Sequence, residues 1–328
     1  MEWVSNMPSV QSYFFKVITK VMSLRMNSIA SVPELRTFSE RMSGDSISKS
    51  LLPDGTTLNR IGVDGVPVEW VNPPQVSSKS VILYLHGGGW ILGWYNSYRS
   101  LVARIGLAAK SRVLAVDYRL APENPYPAAL EDSLAVYRWL LRDGIESKQI
   151  VIAGDSAGGN LTLTTLMALR DAGEPMPAAA VCISPMTDLA ATGESFWKNR
   201  DALLTTKLVL SMAGHYIGSQ DAHLPMISPH YGNLEGLPPL LIHVGGDEIL
   251  LSDAERLAAK ARGAGVEVDL VIWPKMWHVW HVYAPYLPEA QQAVDEIGSF
   301  VRKNIVGVKE QRAGYPIGLV QNENENIP

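Results

Sequence analysis

Apolar positions at the start of the chain recur every three to four residues: Val10, Phe14, Val17, Val21 and Leu24 share one helix face, with Lys16, Lys20 and Arg25 off it. Packing of that face against the chain's own body is expected ahead of an interfacial membrane helix. Ser31 followed by Glu34 is a capping box that opens a second helix. From Thr57 the period shortens. Asp64-Gly65 lies between two β-rich runs, 59–63 and 66–71, and predicts a hairpin. Ser80 to Leu85 is a nearly continuous apolar run, as in a strand covered on both faces. Strands at 113–116, 150–152, 178–183, 240–244 and 266–272 then alternate with helical patterns at 127–142, 158–172, 253–263 and 289–303. That rhythm predicts an α/β fold with a mostly parallel sheet and helices on both faces.

Two stretches break the rhythm. The segment 186–233 is a helical insertion too long for an ordinary connection, and the chain past residue 306 turns polar and irregular, predicting a mobile tail at 307–328. The expected organisation is therefore N-terminal helices over 1–50, a catalytic domain over 51–185 and 234–306, and the 186–233 insertion.

The sharpest local signal is Val151 to Asn160, an apolar β-branched run that turns through Gly154-Asp155-Ser156-Ala157-Gly158 into a helical pattern. This is a nucleophile elbow, in which a tight turn lifts a serine oxygen above the sheet and glycines keep strand and helix from clashing. Upstream, His86-Gly87-Gly88-Gly89-Trp90 follows the 80–85 strand. Its glycine N–H groups can converge on a developing oxyanion, each donor being worth about 10²–10³-fold in rate. Ala157 N–H, at the start of the following helix, is the expected further donor, while His86 is expected to orient loop backbone.

A serine needs a base and the base an orienting carboxylate, in the chain order serine, acid, histidine. Asp247, just beyond the 240–244 strand, is the expected acid, with Glu248 and Asp253 as rivals, Asp253 being read as a helix cap. His278, on the loop after the 266–272 strand, is the expected base, with His281 its near rival. The remaining histidines, 215, 223, 230 and 243, read as structural, and none pairs at H-x-x-x-H spacing, so no metal is expected.

These motifs, with Asp117 to Glu123 and Tyr126 to Ala129 between them, resemble the hormone-sensitive-lipase family of esterases over about residues 55–305. The GDSAG elbow is similar to that of one of the family's two bacterial subgroups. The resemblance implies an α/β-hydrolase fold of about eight strands, with a cap made by the N-terminal helices and the 186–233 insertion. It implies a triad of Ser156, Asp247 and His278. It also implies an oxyanion hole from Gly87, Gly88 and Gly89, most often the second and third, with Ala157, and a scaffolding role for Arg119 and Glu123. Bulky Trp277, Trp280 and Tyr283 near the histidine depart from the family pattern. With Trp90 and Trp94 they are candidates to narrow the pocket, against the alternative that they fill the cap interface. Eight of the eleven methionines lie in 1–50 and 186–233, where they could line an adaptable pocket or fill core.

Composition narrows the function classes. The net charge is −5 with basic residues scattered, which removes nucleic acid as a partner. Cys182 is the only cysteine and lies in an apolar run, so it reads as buried packing. There is no basic leader and no apolar window long enough to span a bilayer, so a soluble cytoplasmic protein without stable membrane insertion is expected. No cofactor motif is present. The expected activity is hydrolysis of small uncharged carboxylic esters, with short to medium acyl chains, through an acyl-enzyme. A lactonase or an amide or acetyl deacylase is the hydrolytic alternative. A non-catalytic small-molecule receptor, like the plant gibberellin receptors that resemble this family but lack a working triad histidine, is the other. Oligomeric state is left open, a homodimer included.

Overall fold

In a computed structural model, residues 2–3, 8–42 and 51–305 are described, apart from 75, 77, 78 and 95. The expected polar tail lies outside them. One nine-stranded sheet runs through the protein. Its strands are β1 (Glu2–Trp3), β2 (Thr57–Val63), β3 (Val66–Asn72), β4 (Val81–Leu85), β5 (Arg112–Val116), β6 (Ile150–Asp155), β7 (Ala179–Ile183), β8 (Leu240–Gly245) and β9 (Val268–Trp273). The order across the sheet is β1-β9-β8-β7-β6-β4-β5-β3-β2. The hairpin of β2 and β3 is antiparallel, as Asp64-Gly65 predicts, and β3 joins β5 antiparallel; all other pairs are parallel. Disregarding the two-residue β1, this is the eight-stranded, mostly parallel sheet expected.

Strands β4, β6, β7 and β8 are buried along their whole length, which is why their sequences run apolar without alternation. Helices cover both faces. On one side lie α4 (Ala128–Arg142), α5 (Ala157–Asp171) and α8 (Leu251–Gly263); on the other, α3 (Asn96–Ala109) and α9 (Pro288–Asn304). Cys182 is fully buried between Gly154 of β6 and Ile242 of β8, and burial pushes its thiol up to about 12, the inert state expected of it.

Two further helices lie near the chain start, α1 (Val10–Ser28) and α2 (Val32–Met42). Ser31 Oγ accepts from Glu34 N–H at 3.4 Å, the cap read from sequence. The expectation for α1 is reversed. Its buried residues are Ser12, Thr19 and Ser23, while Val10, Phe14, Val17, Val21 and Leu24 face outward. Polar contacts hold it: Thr19 to the Tyr283 hydroxyl, Lys16 to Asp247, Lys20 to the Asp201 carbonyl, and Asn27 to Thr205. The periodicity identifies a face correctly; only the tertiary partners decide which face turns inward. The insertion carries α6 (Glu194–Lys198) and α7 (Thr206–Ile217).

Candidate active site

The carboxyl ends of β4 and β6 lie side by side, Leu85 opposite Gly154. At that junction the backbone passes so close that a Cβ on Gly158 would stand 1.8 Å from the Leu85 carbonyl, and one on Gly154 2.3 Å from the Gly158 carbonyl. The two glycines therefore let β6 turn straight into α5. Ser156 sits at the bend with φ 53° and ψ −116°, a conformation that costs a non-glycine residue of order 1–3 kcal/mol and needs surrounding structure to hold it. Its N–H donates to Ile183 O at 2.8 Å and its carbonyl accepts from Met186 N–H at 3.3 Å, so both sides of the elbow are fixed by the end of β7. The side chain is half-buried at the amino end of α5.

Gly87, Gly88 and Gly89 follow β4, but they do not share one role. Gly87 N–H donates to Asp155 Oδ1 at 3.0 Å, which removes it from the expected set of oxyanion donors. Gly88 takes φ +102°, where a side chain would be strained. The N–H groups of Gly88, Gly89 and Ala157 have no protein acceptor among the described residues, Ala157 because the first helical N–H never has one. His86 packs flat on Tyr118, its Nδ1 lies 2.7 Å from Gly87 O, and burial pushes its pKa down to about 4, so it is a neutral orienting residue. Asp155 also accepts from the Tyr84 hydroxyl at 2.8 Å, and burial raises its pKa to about 6.

His278 meets a carboxylate, and that carboxylate is Glu248 rather than the expected Asp247. His278 Nδ1 lies 2.9 Å from Glu248 Oε2, both side chains being buried. Asp247, the expected acid, points outward to Lys16 and Lys275. The turn after β8 explains the exchange. Glu248 N–H donates to Gly245 O at 3.2 Å, and Asp247 N–H donates to Met276 O at 3.1 Å. That tight turn sends successive side chains to opposite sides, and the longer glutamate reaches back under the histidine. Glu248 Oε1 in turn accepts from Gly245 N–H at 2.6 Å and from Ser184 Oγ at 2.7 Å. Ser184 follows Ile183, whose carbonyl holds the Ser156 N–H, so one strand end positions both elbow and acid. His278 is close enough to the elbow for its charge and that of Asp155 to act on each other.

Burial pulls the His278 pKa down, but the Glu248 hydrogen bond and the charges of Glu248, Asp201 and Asp155 outweigh it, and the net direction is upward. Asp201, in the insertion and absent from the sequence expectations, is fully enclosed here. Its Oδ1 accepts from Leu203 N–H at 2.8 Å and lies 3.5 Å from His278 N, while its Oδ2 has no hydrogen-bond partner among the described residues. Burial and then the Glu248 charge hold its carboxyl above the usual range. Donor atoms of Asp201, Glu248 and His278 fall within 4.8 Å of one another, the spacing of a metal cage. Yet Nδ1 and both Glu248 oxygens are already engaged in hydrogen bonds, so a cation would have to break the row; the donor set fits a proton relay better.

The other candidates fall into structural roles. Asp253 is no helix cap: its Oδ2 accepts from Thr187 N–H at 2.8 Å and Asp188 N–H at 3.0 Å, pinning the start of the insertion to α8. His281 pairs with His243 at 3.2 Å in the core. Trp277 and Trp280 are fully buried and Trp90 nearly so, leaving no surface for a substrate, and Trp94 donates to Glu69 Oε2 at 2.8 Å. Packing therefore takes Trp90, Trp277 and Trp280, three of the tryptophans expected in the pocket, while Trp94 stays half-buried. Trp90 stacks on Tyr216 of α7 at 4.3 Å, joining the glycine loop to the insertion. Arg119 bridges to Asp132 and Glu123 to Arg36, both scaffolding.

Comparison with known proteins agrees with this architecture. Residues 82–282 match the family described as alpha/beta hydrolase fold. An acetyl-hydrolase of Streptomyces hygroscopicus is 48% identical over 236 residues, 71% of this chain and 79% of that protein. An esterase of Acinetobacter venetianus is 38% identical, covering 76% of this chain and 84% of its own. A solved esterase from the bacterial hormone-sensitive lipase family superposes with a TM-score of 0.85 at 43% identity, over 91% of this chain and 100% of that one. The family match over residues 82–282 and the 43% identity to a solved esterase aligned over its whole length lead to one placement: the chain belongs to the α/β-hydrolase family, among the bacterial hormone-sensitive-lipase esterases.

Proposed function

We propose that Ser156, His278 and Glu248 form the catalytic row of a carboxylic ester hydrolase that works through an acyl-enzyme. Ser156 Oγ attacks the ester carbonyl as its proton passes to His278 Nε2. The oxyanion that forms is met by the N–H groups of Gly88, Gly89 and Ala157. His278 then delivers the proton to the leaving alcohol, and water repeats the sequence on the acyl group. Glu248 fixes the Nδ1–H tautomer and stabilises the imidazolium. The observation that carries this reading is the buried 2.9 Å contact between His278 and Glu248, whose anchor Ser184 follows the Ile183 carbonyl that holds the strained serine.

The N-terminal helices and the insertion act as the cap over the site. Ser156→Ala is expected to lower kcat on a short-chain p-nitrophenyl ester by ~10⁴-fold or more with the fold intact. Near wild-type turnover would reject the assignment. The name of one relative, an acetyl-hydrolase, is compatible with acetyl-group removal as a subdivision, which a rate series from acetate to octanoate esters measures directly. A small uncharged ester is the partner this reading requires; a cytoplasmic location and a homodimer are tested by fractionation and light scattering.

A further inference from the structure

Helix α1 is amphipathic in the reverse of the usual sense. Val10, Tyr13, Phe14, Val17, Val21 and Leu24 are 57–84% exposed, an apolar stripe over roughly 100° of the helix circumference at 3.6 residues per turn. Scattered exposed apolar residues need no explanation, but a contiguous row of large ones marks a surface that meets something other than water. The polar face of α1 is already engaged by Asp247, Tyr283, Asp201 and Thr205. Turning the helix over would break all of these contacts.

From this arrangement we infer that the outer face of α1 is a docking surface for a lipid–water interface, which it enters in the plane of the headgroups. Two features select this occupant. The helix has no acidic residue, and the exposed Arg25 borders the apolar stripe, a charge pattern suited to anionic headgroups. The stripe is also too small for a second copy of the chain. One helix of 19 residues is about 28 Å long; at a width of about 10 Å it offers on the order of 300 Å² per partner, against the ~800 Å² of a stable complex. Among the described residues no helix is long and apolar enough to cross a bilayer, so the contact is peripheral.

Because the inner face of α1 touches the loops bearing Asp247 and Tyr283, docking would bring the site mouth to the lipid phase, where apolar esters concentrate. This last step rests on the ester-hydrolase reading; the docking itself does not. The test is co-sedimentation of the full chain with vesicles of phosphatidylcholine alone and of phosphatidylcholine with phosphatidylglycerol at 3:1. Binding is expected, stronger with the anionic lipid. Phe14→Ser/Val17→Ser/Val21→Ser should weaken it at least tenfold while turnover of a soluble acetate ester stays at the wild-type value. Arg25→Glu, which leaves the apolar row intact, should remove the preference for the anionic vesicles. A wild-type chain that stays in the supernatant with both compositions overturns the inference, as does a triple variant that sediments normally. A wild-type dimer that the triple variant dissociates in light scattering also overturns it, in favour of a second copy on this face. Vesicle binding with no ester turnover would keep the inference and sink the proposed activity.

Discussion

The imidazole of His278 leans on Glu248, at 2.9 Å, and not on the neighbouring Asp247, which turns out of the core to meet Lys16. One residue of offset separates a buried, doubly anchored carboxylate from a half-exposed one bound to a flexible lysine. Only the first can hold an imidazole in a single orientation.

Substitution separates the two. Glu248→Gln keeps the volume but no longer imposes the Nδ1–H tautomer, and kcat is expected to drop by about 10²–10⁴-fold. Asp247→Asn, measured under the same conditions, should stay within about threefold of wild type. The reverse ranking would return the acid role to Asp247.

The pH profile has a defined sign. His278 acts as base only when neutral, and its pKa is raised above the ordinary 6.5 by Glu248, Asp201 and Asp155 despite burial. Activity should fall as pH drops, with the midpoint of kcat/KM above 6.5. A midpoint clearly below that value would mean that burial outweighs the carboxylates.

Asp201→Asn removes one of those charges while keeping an acceptor for Leu203 N–H. The charged and titrating groups around it are Glu248, His278 and the Lys20 ammonium on its carbonyl, and His278 in turn interacts with Asp155 and His281. The acid limb should move to lower pH, because the imidazolium loses a negative neighbour. A limb that stays in place, with only KM or stability changed, would assign Asp201 a structural role alone.

The elbow can be tested through stability. Gly158→Ala forces a methyl group to within 1.8 Å of the Leu85 carbonyl, a backbone atom with no room to retreat. A loss of about 3 kcal/mol or more is expected, read from urea unfolding midpoints. Gly214→Ala, at a position where a Cβ meets nothing within 4 Å, is the control and should be neutral or slightly stabilising.

A buried histidine pair gives a second pH effect, on folding. Burial pushes His243 down to about 3, and burial with the neighbouring His243 and His278 pushes His281 well below its ordinary value. Both are neutral when folded and titrate near 6.5 when unfolded. Their stabilisation is therefore complete above pH 6.5 and declines as pH falls below it, by up to about 1.4 kcal/mol per pH unit for each histidine. His281→Phe should lose less stability than wild type between pH 7.5 and pH 5; an equal loss would locate the acid sensitivity elsewhere.

Much of this site is legible in the sequence because its signals are local. The elbow glycines and the glycine loop after β4 do their work within a few residues of themselves, and the uninterrupted apolar strands report burial on both faces. What is not legible depends on where a turn points or what lies across a gap. Asp247 and Glu248 are equivalent as neighbours in a string, and only the turn from Gly245 sorts them. Ser184 carries a faint signal as a polar residue ending an apolar strand; Asp201 carries none, since its meeting with His278 spans 77 residues. The tryptophans mislead because a large ring next to a motif reads alike whether it lines a cleft or fills the core.

The stacking of Trp90 on Tyr216 ties the insertion to the glycine loop. Under the proposed reading, in which the insertion is a cap and the loop amides meet the oxyanion, redesigning α7 for a longer acyl chain will shift turnover along with preference. Engineers who treat specificity as a separate dial on this scaffold will find the two geared together.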